Sequence, residues 1–145
     1  LTVESLTSFD PQSKDPDKQE KENLVSLATD GDRGTAWTTE LYRRDDFGGL
    51  KDGVGLLLKL GEASTVSRVD LVTNTVGYTV EIYVGDTFGP DSATWGEPAG
   101  VVSEGQTSAS VDLSGAKGST VLLWVRDTGL TGQKFRFELA EVTLH

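Results

Sequence analysis

Apolar residues recur at every second position through much of this chain, the period of a strand with one buried face. Segment 78–84 (YTVEIYV) alternates most clearly, with Val80, Ile82 and Val84 on one face and Thr79, Glu81 and Tyr83 on the other. Residues 66–73 place Val69 and Leu71 opposite Arg68 and Asp70. The runs 54–60 (VGLLLKL) and 120–126 (TVLLWVR) are almost continuously apolar, as fully buried strands are. Weaker strands are predicted at 2–8, 36–41 and 107–113, and a long one closes the chain at 134–144. Trp37 and Trp124 fall on these strands and read as core. No stretch of ten residues carries helical periodicity, and residues 24–29 supply one helical turn at most. The charged stretch 10–24 follows Leu1, Val3, Leu6 and Phe9, so it reads as a loop inside the domain. Eight strands separated by loops rich in Gly, Asp, Ser and Thr predict an all-β fold. The expected architecture is an antiparallel eight-stranded jelly-roll β-sandwich, with residues 1–145 as one domain.

The closing segment breaks its own alternation. Phe135, Phe137 and Leu139 share one parity, while Val142 and Leu144 share the other. A slip of one residue turns a buried face outward unless a bulge absorbs it. The bulge is expected at Ala140–Glu141, and it would re-aim the Glu141 side chain.

Composition narrows the chemistry. There is no Cys, which removes disulfides, thiolate metal sites and Cys nucleophiles. There is no Met, so Leu1 is not a natural start and the chain reads as part of a longer protein. Its longest apolar run, 53–60, carries Lys59 and falls far short of the ~20 residues of a membrane helix. The net charge of −10 opposes binding to nucleic acid or anionic lipid. It suits either a soluble surface or a bound cation. The one His is His145 at the end of the chain, and no Gly-x-Ser-x-Gly occurs. Gly115–Ser119 lacks the order of a phosphate loop, and nothing selects a catalytic pair among 23 acidic residues. The expected role is non-catalytic.

The most informative segment is Ala28-Thr29-Asp30-Gly31-Asp32-Arg33-Gly34-Thr35-Ala36-Trp37. Gly31 permits a tight turn that aims Asp oxygens and carbonyls at one point. Calcium takes six to eight oxygens in irregular geometry. Asp30, Asp32 and Thr35 supply some of them, and Glu141 at the expected bulge is the natural remote carboxylate. A simple Asp-Gly turn capped by Thr35 explains the same residues without a metal.

The pattern A-x-D-G-D-x-x-T-x-W resembles the signature of discoidin (coagulation factor 5/8 C-type) domains and related carbohydrate-binding modules. That resemblance implies a galactose-binding-like jelly roll. It also implies a structural calcium held by Asp30, Asp32, Thr35 and Glu141, with backbone oxygens near Leu27 and Ala140. A second segment, Tyr42 followed by FGGLKDGVGL at 47–56, stands with the early Phe9-Asp10-Pro11 and Glu22-Asn23. Together they resemble the extracytoplasmic C-terminal domain of actinobacterial MviN-type proteins, which are lipid II flippase homologues carrying a pseudokinase domain. Similar domains end some membrane-bound kinases. This resemblance implies a module on the outer face of the cytoplasmic membrane, serving peptidoglycan biosynthesis. It would bind or sense a cell-wall glycan or precursor, or act as a protein-interaction or spacer domain.

Sugars stack on loop aromatics, and Tyr42, Phe47, Phe88 and Trp95 are the candidates, expected to line one groove from loops 42–51 and 87–98. Each could equally pack beneath its own loop. Arg43, Arg44 and Lys51 form the one basic cluster, able to meet an anionic group or to pair with Asp45, Asp46 and Asp52. The expected partner is a cell-wall glycan or a protein outside the membrane. Nucleic acid and direct membrane insertion are not expected, and a monomer is.

Overall fold

A computed structural model describes all 145 residues. It contains seven strands: β1 (Ser5–Phe9), β2 (Trp37–Thr38), β3 (Val54–Thr73), β4 (Thr79–Gly85), β5 (Gly100–Val102), β6 (Ser108–Asp127) and β7 (Glu138–Leu144). Short 3₁₀ turns lie at Glu22–Ala28, Phe47–Gly49 and Ser92–Thr94. No helix is long and apolar enough to cross a membrane.

The organising element is the antiparallel pair β3 and β6, each 20 residues long. They run together from Val54 opposite Val125 to Val72 opposite Ser108, with register shifts between Lys59 and Ser64 and between Val66 and Arg68. The first half of β3 also pairs with β1, and the second half of β6 with β4, which carries β5 on its other edge. The second half of β3 pairs with β7, which carries β2. One continuous ladder thus supplies strands to both layers of a sandwich. Leu56, Leu58, Val80, Ile82, Val121 and Leu123 come from one layer. They meet Val69, Leu71, Leu139, Val142 and Leu144 of the other in a single core.

The fold class is the all-β sandwich expected from the strand pattern, in the arrangement that the resemblance implied. The strand count differs. Segments 54–60 and 66–73 are two halves of β3, and 107–113 and 120–126 are two halves of β6. The connecting residues are mostly exposed and polar, so they read as loops, yet the strands run on through them, kinked by left-handed residues at Gly61, Ser114 and Gly115 where the register shifts. The expected strand at 36–41 shrinks to Trp37–Thr38, and β5 went unseen because it is three residues long and begins with Gly.

The closing strand behaves as its parity demands. Val72 faces Glu141 and Thr73 faces Leu139, leaving Ala140 as the extra residue of a bulge. Phe137 and Leu139 are therefore buried on one parity, and Val142 and Leu144 on the other. The part before Glu138 is not regular strand: Phe135 makes only an isolated bridge to Tyr42.

A second apolar cluster covers the outer face of the β4–β6 layer. Tyr83, Leu122 and Trp124 are buried there beneath Phe9, Phe88 and Trp95. Trp124 is core, as expected, but of this smaller cluster and not the central one.

Backbone clearance is tightest at Gly105. Its N–H donates to the Tyr78 carbonyl at 2.9 Å and its carbonyl accepts from Gly77 at 2.8 Å. A methyl group there would collide with the buried Tyr78 ring. Gly105→Ala is expected to destabilise the fold by about 2 kcal/mol or more, as overpacking does where neither side can retreat. Urea denaturation against wild type measures it.

Candidate functional site

The Asp-Gly-Asp turn and the bulge meet as chain geometry requires. Gly31 adopts φ +78°, a left-handed conformation that costs a side chain dearly, and its N–H donates to Glu141 Oε2 at 3.0 Å. Asp30 Oδ1 accepts from Asp32 N–H at 2.9 Å, and Asp30 Oδ2 from the Thr35 hydroxyl at 2.5 Å. Asp32 Oδ1 accepts from Gly34 N–H at 2.8 Å. The Thr35 hydrogen bond holds the Asp30 carboxyl below its ordinary pKa. Burial, followed by the Asp30 charge, pushes Glu141 upward, against the Gly31 hydrogen bond. Leu27 lies in the adjacent 3₁₀ turn and Ala140 is fully buried at the bulge. The donor chemistry is that of a calcium ligand set, all hard oxygens. Four of these oxygen contacts serve the turn's own donors, and no three acidic or His side chains in the chain converge as a metal cluster.

At one end of the sandwich, loop 39–53 is tied down by a buried ionic knot. Asp10 is 1% exposed and Glu20 4%. Lys51 Nζ pairs with Asp10 Oδ2 at 2.8 Å and lies 5.4 Å from the centre of the Tyr42 ring. Glu20 Oε2 accepts from the Tyr42 hydroxyl and from Glu40 N–H, and the Glu20 carbonyl accepts from the Trp37 indole at 3.0 Å. Burial is the main cause that raises the Glu20 pKa, with the Asp10 charge adding to it and Tyr42 and Lys51 opposing it. Burial and Glu20 together push the Tyr42 phenol well above its usual range, so it remains a donor. Gln12 and Asp52 exchange two further hydrogen bonds between the same loops.

Phe47 anchors the tip of the loop. It is fully buried at φ +64°, followed by Gly48 and Gly49 also at positive φ, and its ring meets Tyr42 edge-on at 4.7 Å. A bulky residue is held in this conformation only when its surroundings compel it. Above Phe47 lies an open groove of about 430 Å³, walled by Leu41, Tyr42, Arg43, Phe47, Gly48 and Leu50. Leu41 is 57% exposed and Leu50 71%. Arg44 is held by Asp46 at 3.3 Å and Lys51 by Asp10, whereas Arg43 is exposed and has no ion-pair partner. Lys51 was expected to meet an anionic ligand or to pair with Asp52. It pairs with Asp10 and not with Asp52, because the buried Asp10 carboxylate offers a drier and stronger partner.

Phe88 and Trp95 do not join this groove. Their loop folds over the outer face of the β4–β6 layer, where Trp95 packs 4.9 Å from Trp124 and its indole N–H donates to the Gly89 carbonyl at 2.8 Å. Phe88 packs edge-on against Trp95 and Tyr83. The expected groove shared by the two loops is therefore corrected: Tyr42 and Phe47 belong to the central core and Phe88 and Trp95 to the outer cluster. The rings go inward because the exposed strand face beneath them, Leu57, Tyr83, Leu122 and Trp124, is too apolar to leave wet. Leu41 and Glu20 were not singled out from sequence, and Asp10 and Leu50 entered only as parts of the resembling segments. Two apolar residues bracketing a charged loop were the one signal for the leucines.

The fold and the position of its loops define a galactose-binding-like β-sandwich. No protein-family model matches the chain. Solved structures with the same fold include the family 32 carbohydrate-binding module of AlyQ in complex with 4,5-unsaturated mannuronic acid. At 14% identity it aligns over 100% of this chain and 96% of its own, with a TM-score of 0.68. A pectin-binding carbohydrate-binding module aligns over 99% and 91% at 12% identity and TM-score 0.64. Chitosan-binding module 2 of a Paenibacillus sp. IK-5 chitosanase/glucanase, in complex with chitotriose, aligns over 97% and 95% at 13% and 0.63. Identities this low establish a shared fold.

Because burial raises the Glu20 pKa above its ordinary 4.5, ionisation of Glu20 opposes folding. Its contribution to stability is complete below the unfolded pKa and is lost as pH rises through the folded one. Glu20→Gln keeps an acceptor for Tyr42 and cannot ionise. The variant is expected to gain stability relative to wild type as pH rises above the ordinary carboxylate range, measured as the difference in urea midpoints. A pH-independent difference refutes an ionising Glu20.

Proposed function

We propose that this chain is a non-catalytic carbohydrate-binding module that takes its glycan in the groove of loop 41–50. The observation that carries the reading is the groove itself. It is a concave site of a ligand-sized volume, rigidly floored by Phe47 and Tyr42, with one unpaired guanidinium at its edge. The neighbours that share the fold along nearly their whole length include modules whose names record binding to mannuronic acid, pectin or chitosan oligomers.

The fuller proposal follows the sequence resemblance. The module belongs to a membrane protein of the MviN type or a membrane-bound kinase, acts on the outer face of the cytoplasmic membrane, and recognises a cell-wall glycan or precursor. Calcium at the Asp30–Thr35 turn is part of the same proposal. Asp30, Asp32, Thr35 and Glu141, with the backbone near Leu27 and Ala140, would hold the ion, which would pin the bulge of β7 to the turn. A second reading is favoured by Leu41, Leu50, Val76 and Leu130, all exposed aliphatics. The Thr128–Asp45 hydrogen bond links the loops that carry them, and such a surface suits a protein partner.

A titration of the labelled protein with a panel of cell-wall fragments and plant or algal oligosaccharides is expected to give saturable shifts at residues 41–50. A flat response across the panel rejects glycan binding. Removal of calcium with EDTA is expected to lower the melting temperature and added Ca²⁺ to restore it, since an ion bound only by the native state stabilises it by mass action. Asp30→Ala should remove that difference; coincident melting curves for wild type with EDTA and with Ca²⁺ reject the ion.

A further inference from the structure

The groove's walls specify a kind of sugar. Glycan sites that read the flat C–H face of a pyranose present an exposed aromatic ring. Here Phe47 is fully buried, and the half-buried Tyr42 ring already carries the Lys51 ammonium near its centre and Phe47 against it, with its hydroxyl on Glu20. What stands clear of the surface is aliphatic and cationic, namely Leu41, Leu50 and Arg43. Aliphatic walls suit a methyl substituent and add little to recognition of a bare hydroxyl pattern. A guanidinium without a partner suits a carboxylate, which it can grip through two parallel hydrogen bonds.

The charge of the whole domain limits how many carboxylates the ligand can carry. The net charge is −10, and Asp45 and Asp46 lie on the same loop as Arg43, with Arg44 already occupied by Asp46. Screening over about 8 Å at physiological salt shields one carboxylate gripped by Arg43 from most of that field. A polyuronate, with a charge on every residue, would set its flanking carboxylates against an acidic surface.

We propose that the groove recognises an N-acetylated sugar bearing a single carboxylate, with the acetyl methyl between Leu41 and Leu50 and the carboxylate on Arg43. This rests on the glycan-binding reading above and adds the class of ligand. Two sugar types share that chemistry, N-acetylmuramic acid and N-acetylneuraminic acid, and they differ in where the carboxylate sits relative to the acetamide.

The test is isothermal titration calorimetry, with NMR mapping, of the intact chain against six probes. They are N-acetylmuramic acid, N-acetylneuraminic acid, N-acetylglucosamine, de-N-acetylated muramic acid, glucuronic acid and a polyuronate oligomer. One of the first two is expected to bind at the groove, and which one does identifies the source. The sugar lacking its carboxylate and the one lacking its acetyl group are each expected to bind about tenfold or more weakly. Arg43→Ala should erase the preference for the acidic sugar, and Leu50→Ser the preference for the acetylated one. Both residues are solvent-exposed, so unchanged melting curves would certify the fold. If N-acetylglucosamine or the polyuronate binds the groove as well as the acidic N-acetyl sugars, or Arg43→Ala changes nothing, the class is wrong while glycan binding stands. If none of the probes, nor any member of the wider glycan panel, shifts residues 41–50, both fall together.

Discussion

The β3–β6 ladder is the constraint on which the rest depends. Because the same two strands run through both layers, the layers cannot slide independently. β1, β4 and β7 are placed by which half of the pair they join, and β2 and β5 are carried on β7 and β4. β7 must then lie beside the second half of β3, and the spare residue Ala140 brings Glu141 against the turn at Gly31. The opposite end of the ladder, Val54 against Val125, fixes where loop 39–53 enters the sandwich.

That loop is held by polar chemistry more than by apolar packing. Asp10, Glu20 and Lys51 are almost wholly removed from water, and their pairing and hydrogen bonds offset only part of the desolvation of Glu20. One carboxylate oxygen, Asp10 Oδ1, has no partner at all. A buried ion pair is weak evidence of stability but a strong determinant of geometry, because few alternative arrangements satisfy it. Phe47, forced into a left-handed backbone, completes the loop from inside. Together they present Leu41, Arg43 and Leu50 on a rigid base, which lowers the entropy lost when a ligand binds.

The two aromatic groups offered by the sequence were equivalent on paper, each an aromatic in a Gly-rich loop. They parted in the structure for different reasons. Tyr42 and Phe47 were drawn into the knot and the central core, leaving the leucines that flank them exposed. Phe88 and Trp95 were claimed by a strand face that alternation had marked as outward. Tyr83 on that face needs cover as much as any inward residue. Alternation says which side of a strand a residue occupies and not whether that side is wet.

Local order was therefore legible in the chain: the strand periods, the absence of helices, the tight turn at Gly31 and the parity break at Ala140. Each depends on residues within a few positions of one another. The pairing partner of Lys51, the burial of Glu20, the roofing of Trp124 by Trp95 and the exposure of Leu41 and Leu50 depend on segments 17 to 41 residues apart, or on the whole fold. Only the tertiary structure decided them, because burial and dielectric are set by what the rest of the chain places on top, and these choose among partners that the sequence leaves equal.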